Sequence, residues 1–203
     1  MDIGQGVGLF ITAKPSSGHR PAEDNLRFIL NWLEEFLKYK YSDLYLIGES
    51  YAGHYIPQLA TLMLEHNKLP NIAPIKLKAI ALGNPLLDLD ISINAADYLW
   101  SHGAISDETL LLEKTVCNDS RYLREYYHDK LSQECNDIFN KVSDEIGLGI
   151  DRNDLLLPKC LSTMIEIFNF CRSLLYQEDN FDMNIIPVVT NLLKNDIPVM
   201  RYR

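Results

Sequence analysis

Leu44-Tyr45-Leu46-Ile47-Gly48-Glu49-Ser50-Tyr51-Ala52-Gly53-His54-Tyr55-Ile56-Pro57 contains the change of period that decides the fold. Its first four residues form a short apolar run stopped by glycine, the pattern of a strand buried in a sheet. From Ile56 the apolar residues recur at helical spacing through Leu59, Ala60, Met63 and Leu64. A serine therefore stands in the turn between a strand and a helix, with glycine two positions before it.

The neighbouring segments extend this alternation. Upstream, Pro21-Ala22-Glu23-Asp24 reads as the first turn of a helix, with proline and acids where free amides and the positive dipole end favour them. Leu26, Ile29, Leu30, Leu33, Phe36 and Leu37 continue at helical spacing, and Lys38 and Lys40 mark the expected C-terminal end. Downstream, Leu77-Lys78-Ala79-Ile80-Ala81-Leu82 reads as a second strand, closed by Gly83-Asn84-Pro85. Strand, helix, strand with compact connections predicts an α/β fold: a parallel sheet with helices on both faces. From about Asp88 to Asp182 the pattern becomes helical with loops, cysteines and charge, and reads as a mainly helical insertion, or cap. Ile185 to Leu193 and Ile197-Pro198-Val199-Met200 read as one more helix and strand returning to the sheet. The whole, residues 1–203, is expected to be a single incomplete domain with that insertion at about 88–182.

A serine in a sharp strand-to-helix turn, preceded by Gly-x, is the arrangement of the α/β-hydrolase nucleophile elbow. The turn holds the serine in strained backbone geometry, and bulky neighbours would collide with strand and helix. Gly48 meets that need; the second position after Ser50 carries Ala52, the next smallest residue, and then Gly53. Tyr51 would donate its backbone N–H to an oxyanion, helped by the N-terminus of the following helix. The competing reading is a plain strand-to-helix turn with a capping serine.

The balance of charge bounds the partners. Nineteen Lys and Arg against 28 Asp and Glu give a net charge of −9 with no basic run, which argues against nucleic acid. Hydrophobic residues at 47% and charged residues at 23% suit a packed protein, and no apolar stretch reaches the roughly 20 residues needed to cross a bilayer. Cys117, Cys135, Cys160 and Cys171 form no Cys-x-x-Cys pair, which argues against a zinc or redox site; no metal or cofactor is expected. They allow two disulfides in three connectivities, or four free thiols. Asn118-Asp119-Ser120 is a glycosylation sequon. Cysteines clustered beside a sequon point to an oxidising compartment. Met1-Asp2-Ile3-Gly4-Gln5-Gly6-Val7-Gly8, without the basic and apolar regions of a signal peptide, points the other way.

The run from Gly48 to Pro57 resembles the active-site signature of the serine carboxypeptidase family, its plant members above all. The likeness continues through Ala22-Glu23-Asp24-Asn25-Leu26 with Asn31-Trp32-Leu33, through Gly83-Asn84-Pro85 with Leu87-Asp88, and through Tyr98-Leu99-Trp100-Ser101-His102-Gly103 with Ile105-Ser106-Asp107. It is good from residue 6 to about 165 and thins around Phe168 to Met183. From Ile185 to Tyr202 it resembles the helix and strand before the family's catalytic aspartate. The resemblance implies a partial α/β-hydrolase fold, truncated at both ends, and hydrolysis of C-terminal peptide bonds with Ser50 as nucleophile. It implies that Tyr51 supplies one oxyanion amide. It also implies that Glu49 binds the substrate's terminal carboxylate, as a proton donor, since two like charges repel. Peptides are the implied partners, and secretion or a vacuole the implied location; the oligomeric state is left open. The family's glycine-rich oxyanion loop falls before residue 1, and its triad aspartate and histidine fall beyond residue 203. Three readings follow: a carboxypeptidase seen in part, a non-catalytic remnant, or, more weakly, an acyltransferase of the same fold.

Other polar residues are read as structural. His54 lies one helical turn after Ser50 and His102 opens the insertion, both in positions where the family packs a histidine. His19, His66 and His128 sit in polar surroundings and read as surface residues, and Asp196 precedes a strand rather than ending one. Arg121, Arg124, Tyr126 and Tyr127 read as a solvated helix face.

Overall fold

A computed structural model of the chain describes residues 21–151, 154–158 and 182–202. The described residues form two units, one of residues 21–84 with 187–202 and the other of 85–158 with 182–186. The first holds a three-stranded sheet of β1 (Leu44–Glu49), β2 (Leu77–Gly83) and β5 (Val199–Tyr202), all parallel, in the order β1-β2-β5. Around it lie α1 (Pro21–Glu35), α2 (Ala52–His66) and α8 (Ile186–Lys194).

The sheet is built on its middle strand. Leu46 of β1 pairs with Ile80 of β2, which pairs in turn with Val199 of β5; Gly48, Leu82 and Arg201 line up one step further on. Ile80 and Leu82 are fully buried. Neighbouring residues in register point to the same side of a sheet. The side of Leu46, Gly48, Ile80 and Leu82 is the one α2 covers, with Ile56, Leu59, Ala60 and Met63 buried along its inner face. Helices lie on both sides of the sheet, but cover on the opposite side is partial. Tyr45 and Ile47 of β1 and Met200 and Tyr202 of β5 stay more than half exposed. Among the described strands β1 is therefore an edge, whereas a place near the centre is what a buried apolar run suggests.

Helix α1 ends at Glu35 and not near Lys40. Phe36 leaves helical geometry with φ −108° and ψ 66°, and a 3-10 turn, Leu37–Tyr39, follows. The aromatic residues explain the break: Trp32 packs against both Phe36 and Tyr39, with ring centroids 5.1 and 5.2 Å away, and the chain folds back to bring them together.

The second unit carries α3 (Leu89–Ser92), α4 (Ala96–Ser101), α5 (Asp107–Thr115), α6 (Asp119–Tyr127) and α7 (Gln133–Ile146). An antiparallel pair, β3 (Ile150–Asp151) and β4 (Asp154–Pro158), follows, which the helical pattern of the sequence did not announce. Four of the helices begin with a side-chain cap, from Asp88, Ser106, Asn118 and Ser132 respectively for α3, α5, α6 and α7. Carboxylates from other helices then bind the caps themselves. Glu145 of α7 accepts from the backbone and hydroxyl of Ser106, and Glu125 of α6 does the same at Ser132. Hydrogen bonds from Ser132, and an ion pair with Arg121, hold the Glu125 carboxyl below the usual range. Short helices are marginal alone; this cross-capping ties them together over two small cores. One is Leu99, Ile105, Val142 and Ile146, the other Cys117, Cys135 and Ile138.

Of the three connectivities open to the cysteines, the structure joins Cys117 to Cys135. Cys160 and Cys171 lie outside the described residues. The Arg121–Tyr127 face is not simply solvated, as the sequence reading had it. Arg124 forms a two-pronged pair with Asp90 (Nη1–Oδ1 and Nη2–Oδ2 both 2.9 Å) and a third bond to Asp182 at 2.7 Å. Arg121 pairs with Glu125 at 2.6 Å. Partners 34 and 58 residues away in sequence could not be read from the helix alone.

Candidate active site

Ser50 sits between the last residue of β1 and the first turn of α2, exposed to solvent, with φ +58°. This left-handed geometry costs a residue with a Cβ on the order of 1–2 kcal/mol. Three hydrogen bonds hold the turn: Ser50 N–H to Gly83 O at 2.9 Å, Gly53 N–H to Ser50 O at 3.0 Å, and His54 N–H to Tyr51 O at 2.9 Å. The first ties the turn to the end of the neighbouring strand, so the serine's position is set by the sheet as well as by its own loop.

Gly48 is required sterically. A Cβ there would stand 2.5 Å from the Cβ of Ala52 and 2.6 Å from Cδ1 of Ile56. Strand and helix approach this closely because the turn between them is only two residues long. Ala52 is itself buried, at 2% exposure, so a side chain longer than a methyl has no room. Alanine thus meets the size limit that the elbow pattern usually meets with glycine.

Glu49 ends β1 and is exposed, in register with Gly83 of β2, which is in register with Tyr202 of β5. The C-terminal ends of all three strands thus form one edge, where α/β sheets bind ligands. Two residues on this edge were not singled out from sequence. The Tyr202 ring packs on Gly83, so close that a Cβ on that glycine would lie 2.6 Å from it. Asn84 takes φ +38° and donates its N–H to Tyr202 O at 2.9 Å. An asparagine after a strand-ending glycine was the available signal for the second; nothing local marks the first.

Tyr51 caps the start of α2, where helical amides point outward, and its ring stacks on His54 with centroids 4.8 Å apart and planes 5° apart. His54 is 2% exposed, neither ring nitrogen has a hydrogen bond, and burial lowers its pKa. A general base must reach the proton it removes. An imidazole stacked on Tyr51 with both nitrogens unbonded is a packing element. His102 is likewise engaged, its Nδ1 2.8 Å from Tyr98 O. His128 is exposed, 3.6 Å from Asp182, and His19 lies outside the described residues.

His66 lines an open cavity of about 250 Å³ with Leu30, Glu34, Lys40 and Ile75. It lies beside the segments that enter β1 and β2, at the end of the strands opposite Ser50. Among the described residues no His, Cys, Asp and Glu groups are arranged to hold a metal, and no helix is long and apolar enough to cross a membrane.

A serine exposed at positive φ on the C-terminal edge of a parallel sheet, at the mouth of a helix, defines the α/β-hydrolase class of fold. Residues 4–195 match the serine carboxypeptidase family, described as Peptidase S10, and the chain belongs to that family. It is 41% identical over 145 residues to serine carboxypeptidase-like 45 of Arabidopsis thaliana, covering 71% of this chain and 31% of that protein. To serine carboxypeptidase-like 46 of the same plant it is 41% identical over 167 residues, covering 79% and 35%. The fold is similar to a prohormone-processing carboxypeptidase from Saccharomyces cerevisiae, with a TM-score of 0.56, 19% identity, and coverage of 89% of this chain and 48% of that one. The chain spans about a third of the length of the curated relatives it matches.

Proposed function

We propose that these residues are the nucleophile-bearing part of a serine carboxypeptidase that hydrolyses the C-terminal bond of peptides. The observation that carries this reading is Ser50 itself, exposed at φ +58° over Gly48, in a chain of that family. In this reading Ser50 Oγ attacks the scissile carbonyl and the Tyr51 N–H, at the α2 N-terminus, stabilises the oxyanion. Glu49, exposed on the same strand edge, grips the substrate's free carboxylate. Residues at about 88–182 form an insertion in a single α/β-hydrolase domain, and the protein works in a secreted or vacuolar setting.

No base for Ser50 is identified among the described residues. In the family pattern its histidine and aspartate belong to segments beyond those matched here, and His54 is packed away from the role. A serine hydroxyl is a weak nucleophile without a base; in a comparable triad enzyme, loss of the base lowers turnover by about 10⁶. The 203 residues expressed alone are thus expected to be inert.

The test pairs the 203-residue chain with a longer product of the same gene carrying the family's remaining segments. Each is given a fluorophosphonate probe and a blocked dipeptide near pH 5, with Ser50→Ala as control. Turnover by the longer product that vanishes with Ser50→Ala supports the roles assigned. Ser50-dependent turnover by the 203 residues alone sinks the assignment of the base.

A further inference from the structure

The roles assigned above leave His54 without chemistry, yet it is buried, and among the described residues neither ring nitrogen has a hydrogen bond. Burying a polar ring unpaired is costly, so what the ring does there calls for an account. Two contacts join it to Tyr51, one helical turn earlier. The His54 backbone N–H donates to Tyr51 O at 2.9 Å, and the imidazole lies flat on the Tyr51 ring, centroids 4.8 Å apart and planes 5° apart.

The peptide between Ser50 and Tyr51 carries the N–H that the proposed function assigns to the oxyanion. It joins a strained residue, Ser50 at φ +58°, to a relaxed one, Tyr51 at φ −64° and ψ −13°. Ser50 O accepts from the Gly53 N–H at 3.0 Å. In a trans peptide the following N–H points the opposite way, so the Tyr51 N–H is aimed out of the mouth of α2. A rotation of that peptide would relieve the strain at Ser50 and swing the N–H off its target. On the Ser50 side, the bond from its N–H to Gly83 O opposes the rotation. On the Tyr51 side the hold is His54, which grips both the carbonyl and the ring.

We infer that His54 is a positioning residue, a flat platform that keeps the Tyr51 N–H trained on the oxyanion. This rests on the reading of Ser50 as nucleophile and Tyr51 as oxyanion donor. The face of the ring does the work and its nitrogens take no part. Phenylalanine can therefore stand in, whereas leucine, of comparable bulk but without a flat face, cannot. An oxyanion contact forms only as the reaction proceeds, so the loss falls on kcat and leaves KM unchanged.

The experiment uses the longer product described above. Fluorophosphonate titration counts the competent molecules, and kcat per titrated site is then measured with the blocked dipeptide. His54→Leu should lower kcat per site by about tenfold or more, short of the 10²–10³ that a whole lost donor costs, with KM unchanged. His54→Phe should keep most of the activity. Tyr51→Leu retains the backbone N–H but removes the other half of the stack; it should lower kcat likewise, and the double variant should fall no further than either single one. A loss confined to the titre or to KM makes His54 a folding residue and overturns the inference. So does His54→Phe as poor as His54→Leu, or a His54→Leu loss that persists in full on the Tyr51→Leu background. Wild type without turnover, or with turnover indifferent to Ser50→Ala, sinks the reading of Ser50 and the inference with it, and shows itself before His54 is touched.

Discussion

Gly48 and Ala52 stand so close that a Cβ on the glycine would lie 2.5 Å from the Cβ of the alanine. One is the fifth residue of β1 and the other the first of α2, so the contact fixes how tightly the chain turns at Ser50. Gly48→Ala should therefore destabilise the protein by about 1–3 kcal/mol, the usual cost of overpacking. Ala52→Gly in the same chain should recover part of the loss, because it removes one of the two clashing atoms. Urea midpoints of the single and double variants measure this coupling; purely additive losses would show that the two positions do not compete for the same space.

Strain at Ser50 makes a second prediction, in the opposite direction. Glycine adopts φ +58° without penalty but loses more conformational entropy on folding. Ser50→Gly should end more stable than Ser50→Ala by roughly 0.5–1 kcal/mol, since alanine keeps the strain. Thermal unfolding of the two variants side by side decides it. Equal melting temperatures would mean the turn relaxes at no cost.

Asp90 should make the helical unit sensitive to strong acid. Hydrogen bonds from Arg124 and then from Ser120 hold its carboxyl at about 2, below the unfolded value near 3.9. A depressed carboxyl stabilises fully above its unfolded pKa and loses that contribution as pH falls through its folded one. The window is thus about pH 4 down to 2. The groups facing the pair are Ser120, Asp182 and, through Asp182, His128. The Asp90 side chain is 57% exposed, so solvent screening keeps the effect well below the full linkage value. Asp90→Asn should flatten the decline of helical stability between pH 4 and 2, followed by circular dichroism. A wild-type decline that matches the variant's would remove Asp90 as its source.

The Cys117–Cys135 bridge closes a loop of 18 residues within one small core. Chain-entropy arguments put its contribution at about 3 kcal/mol. Changing both residues to serine should lower unfolding stability by about that amount, and added reductant should then have no further effect at this site. Both cysteines are buried, so the bridge should resist reduction, and with it alkylation, until the protein is denatured.

Tyr45, Ile47, Met200 and Tyr202 form an apolar, largely exposed set on one side of the sheet, and β1 leaves an edge unpaired among the described strands. Such a surface invites self-association. The 203 residues expressed alone should scatter light at concentrations where a Tyr45→Thr/Ile47→Lys variant stays clear. A wild-type chain that sediments as a monomer would show that these side chains are covered in solution.

Periodicity alone determined the succession of strand, helix and strand, and with it the position of Ser50 in the turn. Each depends on residues within a few places of one another, which a run of apolar letters records faithfully. The small residues at Gly48 and Ala52 were also legible, because a tight turn demands them whatever lies beyond it. The sequence did not reveal that β2 rather than β1 is flanked on both sides, since Ile47 reads as apolar in either place. Nor did it reveal that Tyr202 lies on Gly83, that Cys117 chooses Cys135, or that Arg124 reaches back to Asp90. These pairs are separated by 18 to 119 positions, and many equally spaced partners exist in the chain. Packing decides among them: only once the strands align and the helices cap one another do those side chains come within contact distance.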